Sequence, residues 1–314
     1  MIYAYLAATY SLNMRLYFLT FLLLCSRIAT GQTLAELEKQ LDSLLQKRQK
    51  SEVVAGIGYG NNPAYGSKVT NYESIVLKTF VSPSLSYYHK SGFYAGISSY
   101  YLFNATNNPW FEWDMTAGYD YTKNKNFLTG VSYTRYIFSD SSDVPATPIK
   151  NEIFAYFYYR KWWLQPGVSF DYGWGKDVNE AAHLRETLRG NDFNIIAAVR
   201  HPFIFSGIMG RGDVLLFTPS INLTMGTANY YSNLKAFQYI TRSPQLMNIK
   251  NHPGKELNFE DHTEFEPRAA DLTMNLSYFV GRINLAPSFT VFKSFTGSEQ
   301  GIMSYFTARM AYSF

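Results

Sequence analysis

The chain has 314 residues, with 28 Lys and Arg against 24 Asp and Glu, one cysteine, and aromatic residues at 18% of its positions. This near balance of charge argues against nucleic-acid binding, and the composition excludes a disordered or collagen-like chain. Tyr (26) and Phe (24) are abundant although the chain is not hydrophobic on average. The composition therefore predicts a folded protein with a large aromatic surface.

The N-terminus has the pattern of a secretory signal peptide over residues 1–31. Arg15 is followed by the apolar run Leu16–Cys25, and small residues surround the predicted cleavage site near Gly31. The apolar run is too short to span a bilayer permanently, since about 20 residues are needed. Residues 1–31 are therefore predicted to direct export.

Two details of this leader affect the mature chain. Met14 is a second candidate start, which would leave residues 1–13 outside the protein. Cleavage would remove Cys25, so that the mature chain would contain no disulfide. Lipidation of Cys25 is the weaker alternative, because Leu24 is bulky where a small residue is expected.

Residues 32–50 are predicted to form a periplasmic amphipathic helix and linker. Thr33 and Glu36 have the spacing of a capping box, and leucines then recur every three or four residues. A helix over about 34–49 is marginal alone, so a short spacer is favoured over a coiled coil or a docking helix. Self-association would use the leucines of the apolar face, which are Leu34, Leu37, Leu41 and Leu44.

From Glu52 onward the hydrophobic period changes to two. In Leu272–Val280, for example, every second residue is apolar and most residues between are polar. Such alternation predicts strands with one apolar and one polar face. Residues 51–314 are therefore predicted to form an all-β domain, a closed antiparallel transmembrane β-barrel. The twelve predicted strands are at about 52–60, 75–89, 92–103, 110–121, 126–138, 151–162, 164–174, 192–206, 213–225, 269–281, 283–295 and 302–314.

The links between the predicted strands alternate between short and long. Short links such as Arg282 alternate with long ones such as 175–191 and 226–268. Short turns at one end and long loops at the other are typical of outer-membrane barrels, whose turns face the periplasm. This pattern predicts a location in the bacterial outer membrane. Loop 226–268 would lie at the outer end, where it would either fold inward as a constriction or stand outward as a binding surface.

The polar faces of the strands carry too many charges for a dry packed core. Burying isolated charges is costly, whereas a water-filled lumen solvates them, so a soluble β-sandwich is disfavoured. Acids on some strands would face bases on others, which predicts a narrow pore with a transverse field. The predicted lumen-lining residues are Lys78, Glu112, Asp114, Arg160, Asp171, Arg200, Asp271 and Arg309.

The last eight residues, Thr307–Phe314, alternate in polarity and end on Phe314, with Tyr312 two residues earlier. This ending resembles the C-terminal signature of bacterial outer-membrane β-barrel proteins. The resemblance implies that Tyr312 and Phe314 are an assembly signal read by the barrel-assembly machinery. It also implies that the protein lies among outer-membrane lipids of a Gram-negative envelope, and it implies no particular substrate.

A short repeat, in which an apolar residue precedes a proline by two positions and a small residue usually follows, occurs four times. Proline removes a hydrogen bond from a strand ladder and is rare inside paired strands. All four prolines share the apolar phase of their strands, so bulges or kinks near the periplasmic rim are predicted. These prolines are Pro83, Pro166, Pro219 and Pro287.

One pair of residues has the spacing of a lipase site. His89 stands two residues before Ser91, as in the outer-membrane phospholipases that this segment resembles, so His89 would be the base and Ser91 the nucleophile. The segment lacks the Asn of that motif and falls in a predicted periplasmic turn, so ordinary turn chemistry is favoured. The histidines lack the spacing of a metal site, and neither a metal nor a cofactor is predicted.

The favoured function is a narrow porin-like passive channel for small polar solutes, since twelve strands lie between filled eight-strand barrels and open porins. The first alternative is a non-conducting structural or surface-binding barrel that acts through loop 226–268. The second alternative is an outer-membrane lipid hydrolase that uses His89 and Ser91.

Overall fold

The structure is a computed structural model. The predicted signal peptide, the predicted helix at about 34–49 and most of loop 226–268 lie outside the residues that it describes. Within the described residues, no helix is long and apolar enough to span a membrane. The described residues are 50–65, 75–103, 108–121, 123–124, 126–139, 149–181, 184–210, 212–227, 265–295 and 302–314.

The described residues form thirteen strands in one antiparallel sheet. β8 and β9 pair in succession with the same neighbour, β10, and so form two parts of one barrel strand. The barrel therefore has twelve strand positions. The strands are β1 (Glu52–Tyr65), β2 (Ile75–Tyr88), β3 (Phe93–Leu102), β4 (Trp110–Tyr121), β5 (Phe127–Phe138), β6 (Asn151–Tyr159), β7 (Gln165–Ala181), β8 (Leu184–Arg200), β9 (Phe203–Ser206), β10 (Val214–Gly226), β11 (Glu266–Val280), β12 (Ile283–Ser294) and β13 (Ile302–Ser313).

The sheet closes on itself between its first and last strands. β1 pairs with β13 from Val54↔Ser313 to Gly60↔Thr307, and closure removes the open edges that a membrane cannot tolerate. This confirms the predicted closed antiparallel barrel of twelve strands. The end with the links between β2 and β3, β6 and β7, and β11 and β12 is called the short-turn end, and the other end the long-loop end.

Alternation along each strand decides which side chains face outward. On β4, Trp113 and Met115 are exposed, whereas Glu112 and Asp114 are buried. An apolar exterior around a polar interior is the arrangement of transmembrane β-barrels. Exposed apolar side chains on the other strands include Ile57, Leu85, Ile97, Val131, Ile153, Phe170, Val199, Ile221, Leu272, Leu285 and Met310.

The two longest strands form a hairpin that extends past its neighbour. β7 and β8 pair continuously from Gln165↔Arg200 to Ala181↔Leu184, whereas β6 pairs with β7 only as far as Trp174. The predicted long loop at 175–191 is therefore wrong. Polar residues at successive positions hide the strand period there, because a projecting hairpin has no continuous apolar face.

A β-bulge changes the orientation of one aromatic side chain on β4. Tyr100 pairs with Glu112 whereas Tyr101 pairs with Trp110, so Phe111 is the extra residue. Phe111 is 1% exposed, and its ring centroid lies 5.9 Å from that of Tyr100. Strict alternation predicts an outward Phe111, and this prediction is wrong because the bulge turns the side chain inward.

An interrupted ladder accompanies each of the four repeated prolines. β2 and β3 pair at Val81↔Tyr101 and again at Ser84↔Ser98, with no pair beside Pro83 between them. Both pairs have the same register, so the predicted bulge is absent there. The missing proline N–H accounts for the interruption.

The other three prolines follow the same pattern. The β11–β12 ladder lacks a pair beside Pro287, and the β6–β7 ladder ends at Gly167, next to Pro166. Pro219 lies beside the break between β8 and β9, where the His201 N–H donates to its carbonyl oxygen at 3.2 Å. All four prolines therefore interrupt a ladder in the half of the barrel nearer the short-turn end.

Candidate functional site

The barrel interior contains a layer of buried carboxylates on its β4–β8 side. Each has 7% or less of its surface exposed. The members on β4, β6 and β7 lie six to nine residues along their strands from the short-turn end, and Asp192 of β8 pairs with Gly173, eight residues from the start of β7. That separation corresponds to roughly 20–30 Å of extended strand. We call this group the acidic layer, and its members are Glu112, Asp114, Glu152, Asp171 and Asp192.

Hydrogen bonds hold part of the acidic layer in place. Nδ2 of the buried Asn194 donates to Oδ2 of Asp171 at 3.4 Å. Oγ1 of Thr227 donates to Oδ1 of Asp192 at 3.2 Å and accepts from the Phe193 N–H at 2.9 Å. Among the described residues, no group of three His, Cys, Asp or Glu is placed to hold a metal ion.

Inward tyrosines lie over glycines of neighbouring strands on the same side of the barrel. Tyr94 pairs with Gly118, where an added Cβ would lie 2.5 Å from Cζ of the ring. Tyr158 covers Gly167 in the same way. Because the glycines have no side chain, each tyrosine ring occupies the space beside the backbone of the neighbouring strand.

The interior arginines of β6 and β8 lie far from the acidic layer. Arg160 directly follows β6 and is 5% exposed, and Arg200 ends β8. Cζ of Arg200 lies 3.8 Å from the Tyr158 ring centroid, which is a cation–π distance. Each arginine is eight residues from an acid of its own segment, Glu152 or Asp192, or about 26 Å of strand.

The acidic layer therefore lies nearer the long-loop end than Arg160 and Arg200 do. The interior also has bases near the long-loop end, at the strand positions of Lys78, Lys150 and Arg268, and an acid, Asp120, near the short-turn end. The transverse field across the interior remains a prediction. At the long-loop end, Nη1 of Arg268 forms a salt bridge with Oε1 of Glu266 at 2.9 Å.

The opposite side of the interior, toward the short-turn end, has small side chains. An added Cβ at Gly58 would meet no atom closer than 3.5 Å. Arg309 is exposed there, and its Nη2 donates to Oγ of Ser84 at 3.3 Å. The interior at Gly58 therefore has room for a side chain. We call the lining of this side the small-residue wall, which consists of Gly56, Gly58, Ser82, Ser84, Ser86, Ala286, Ser288 and Ala311.

Two further predicted lumen residues lie apart from both groups. Asp271 is half-buried on β11, and its Oδ1 accepts from Nδ2 of Asn222 at 2.6 Å. Lys78 pairs with Asn62 in the β1–β2 ladder, and its side chain lies outside the described part of the chain. That the predicted residues line a solute path remains a prediction.

Glu152 and Asp192 belong to the acidic layer although sequence reasoning missed them. Glu152 has the same strand phase as Arg160, and Asp192 the same phase as Arg200. Both arginines are among the predicted lumen residues. Strict alternation along the two strands therefore predicts that Glu152 and Asp192 also face the interior.

The candidate hydrolase residues lie in a tight turn. Nδ1 of His89 is 2.6 Å from Oγ of Ser91 and 3.3 Å from its backbone N. Gly92 has a φ of 104° and donates its N–H to the His89 carbonyl oxygen at 2.9 Å. Within the described residues, no carboxylate is hydrogen-bonded to the His89 ring. The turn itself accounts for the His89–Ser91 contact.

Tyr312 and Phe314 lie at the short-turn end of the barrel. Their ring centroids are 4.9 Å apart, and both side chains are exposed. The Phe314 N–H donates to the Val53 carbonyl oxygen at 2.9 Å, which ties the C-terminal residue to β1. Their role as an assembly signal remains a prediction.

No protein-family model matches the chain, and no curated protein matches its sequence. Among solved structures, the NanC porin is 11% identical with a TM-score of 0.40, over 84% of this chain and 98% of that chain. The KdgM porin is 10% identical with a TM-score of 0.41, over 82% and 99%. The β domain of the Bordetella autotransporter BrkA is 11% identical with a TM-score of 0.45, over 84% and 100%. At these values the similarities assign neither a family nor a substrate.

Proposed function

We propose that the chain is an outer-membrane barrel that acts as a narrow passive channel for small polar solutes. The acidic layer is the observation that supports a channel most directly, because five carboxylates are buried inside the closed barrel. A purely structural barrel would gain more stability from an apolar interior. Buried carboxylates retained at such a cost are typical of functional sites.

The apolar exterior and the closed ladder support the membrane location. The short turns are proposed to face the periplasm, so the small-residue wall opens toward the periplasm and the acidic layer lies toward the outside. Carboxylates attract cations and accept hydrogen bonds, and arginines attract anions and donate them. Neutral or zwitterionic solutes would therefore meet no uniform repulsion along the interior.

Single-channel conductance of the purified protein in a planar bilayer tests the proposal. We expect discrete conductance steps, and we expect deletion of residues 230–265 to alter them. Silence from both proteins, with folding verified by heat-shifted gel mobility, would contradict a channel. The surface-binding alternative rests on loop 226–268, most of which lies outside the described residues, and it remains a prediction.

A cysteine variant tests where the path runs. In a Cys25→Ser background, a charged thiol reagent should reduce conductance through Gly58→Cys, whose position has room for a side chain. Ile57→Cys is the matched control, because the neighbouring residue faces outward. Equal block at both positions, or at neither, would contradict a path along the small-residue wall.

A further inference from the structure

The outer face of β5 carries an arginine among exposed apolar residues. Arg135 lies between Tyr133 and Ile137, which are both exposed on the same face. Its Nη1 donates to Oδ1 of Asn151 at 2.7 Å, and within the described residues no carboxylate pairs with it. A cation on the lipid-facing surface of a barrel is unfavourable unless a counter-charge is near.

Aromatic and amide groups surround this arginine. Oη of Tyr133 donates to the same Asn151 Oδ1 at 2.8 Å, and Asn151 Nδ2 donates to the Trp174 carbonyl oxygen at 3.2 Å. The Trp174 ring centroid lies 6.2 Å from that of Tyr133 and 5.5 Å from that of Tyr172. Asn151 thus orients Arg135 while the guanidinium stays exposed. The exterior arginine cluster consists of Tyr133, Arg135, Asn151, Tyr172 and Trp174.

The strand register places this cluster at one level near the long-loop end. Arg135 pairs with Asn151, and Asn151 pairs with Trp174. Arg135 is eight residues along β5 from Phe127, which is about 26 Å of strand. At a tilt of about 40° this spans about 20 Å of an apolar band about 25 Å tall. The cluster therefore lies where lipid headgroups meet the acyl chains, a level that Tyr and Trp favour.

We propose that the exterior arginine cluster binds the phosphate of an anionic membrane lipid. The guanidinium is a planar fork that matches phosphate oxygens. Lys176, exposed two residues beyond Trp174 on the same face of β7, adds a second cation. The aromatic rings pack beside the lipid below its headgroup. The proposal rests on the membrane location proposed above and is independent of conduction.

Native mass spectrometry of the protein in detergent, with defined lipids added, tests the site. The probes are dioleoyl phosphatidic acid and dioleoyl phosphatidylcholine, which has a neutral headgroup. The protein should retain the acid preferentially, and Arg135→Gln should weaken its binding about fivefold, the effect of one surface charge beside anionic lipid. Lys293→Gln is the matched control, since Lys293 is an exposed base on the outer face of β12.

Equal retention of phosphatidic acid by the wild type and Arg135→Gln, both folded by heat-shifted gel mobility, would overturn the proposal. An equal loss in Lys293→Gln would also overturn it, because binding would then follow total charge. If Arg135→Gln does not fold, Arg135→Lys replaces it, because lysine keeps the positive charge but lacks the planar guanidinium. Arg135→Lys should bind phosphatidic acid less tightly than the wild type but more tightly than a variant without the charge. Unchanged binding of phosphatidic acid by Arg135→Lys would count against the site. Failure to retain either lipid would instead contradict the membrane location.

Discussion

Oη of Tyr156 on β6 donates a 2.7 Å hydrogen bond to Oδ1 of Asp120 on β4, across the intervening strand β5. Gly130 of β5 lies between them, paired with Asp120 on one side and Tyr156 on the other. An added Cβ at Gly130 would lie 2.8 Å from the Tyr156 hydroxyl oxygen. The absence of a side chain at this position therefore lets two strands that are not neighbours share a hydrogen bond.

Gly130→Ala should destabilise the barrel by about 1–3 kcal/mol, the usual cost of overpacking a filled site. The added methyl would displace Tyr156 and separate it from Asp120. Urea unfolding followed by gel mobility measures the change. Gly58→Ala is the matched control, because its Cβ would meet no atom closer than 3.5 Å. Equal stability of the two variants would contradict this account of Gly130.

In the proposed channel, neutralising the acidic layer should make conduction less selective for cations. Asp114→Asn combined with Glu112→Gln removes two buried negative charges in the half nearer the long-loop end and should shift the reversal potential in a salt gradient toward anion selectivity. Asp120→Asn serves as control, because Asp120 lies outside the layer and accepts a bond from Tyr156. An unchanged reversal potential in the double variant would show that the acidic layer does not line the solute path.

Two arginines should differ in their effect on selectivity. Arg309 is exposed beside the small-residue wall, whereas the Arg200 guanidinium packs on the Tyr158 ring. Arg309→Ser should therefore increase cation selectivity clearly, and Arg200→Ser should mainly lower the unfolding temperature. Reversal potentials and thermal melts of both variants measure this. A larger selectivity change in Arg200→Ser would contradict a path along the small-residue wall.

Asp213 should make the turn between β9 and β10 sensitive to acid. Its Oδ2 accepts from the Tyr278 hydroxyl at 2.5 Å and from the Met209 and Gly210 N–H groups at 2.8 and 3.1 Å. Its Oδ1 accepts from the Ile208 N–H at 3.0 Å. These bonds, that of Tyr278 first, lower the pKa of the Asp213 carboxyl.

Because the folded pKa of Asp213 is lowered, its contribution to stability is present above the unfolded value of about 3.9 and is lost as pH falls through the folded value. The protection of the Met209 and Gly210 amides from hydrogen exchange, measured against their intrinsic exchange rates at each pH, should therefore stay constant from neutral pH down to about pH 4 and fall below it. Asp213→Asn should speed exchange already at neutral pH. Unchanged exchange in that variant would show that other contacts hold the turn.

Removal of Phe314 should reduce assembly in cells, if the C-terminal resemblance is functional. The heat-modifiable fraction of the protein in isolated membranes measures assembly. Phe306→Ala is the matched control, since Phe306 is an outward aromatic residue on the same strand. An equal loss in both variants would attribute the effect to packing of β13 rather than to a signal at the terminus.

Alternation alone predicted most of the barrel, because a strand between lipid and a polar interior must change polarity at every residue. It predicted β11 from the Leu272–Val280 segment and contained the signal for Glu152. Phe111 could not be predicted in this way, since its bulge depends on pairing with Tyr100 and Tyr101 of β3. The contact between Arg135 and Asn151 depends likewise on register, which polarity alone does not determine.

The small-residue wall has few side-chain atoms and lies opposite the tyrosines that cover Gly130 and Gly167. Substitutions at positions such as Gly58 can therefore change the bore and polarity of the interior without disturbing the packed side. In such a barrel, stability and the bore of the interior can evolve almost independently, and an engineer can redesign one without first repairing the other.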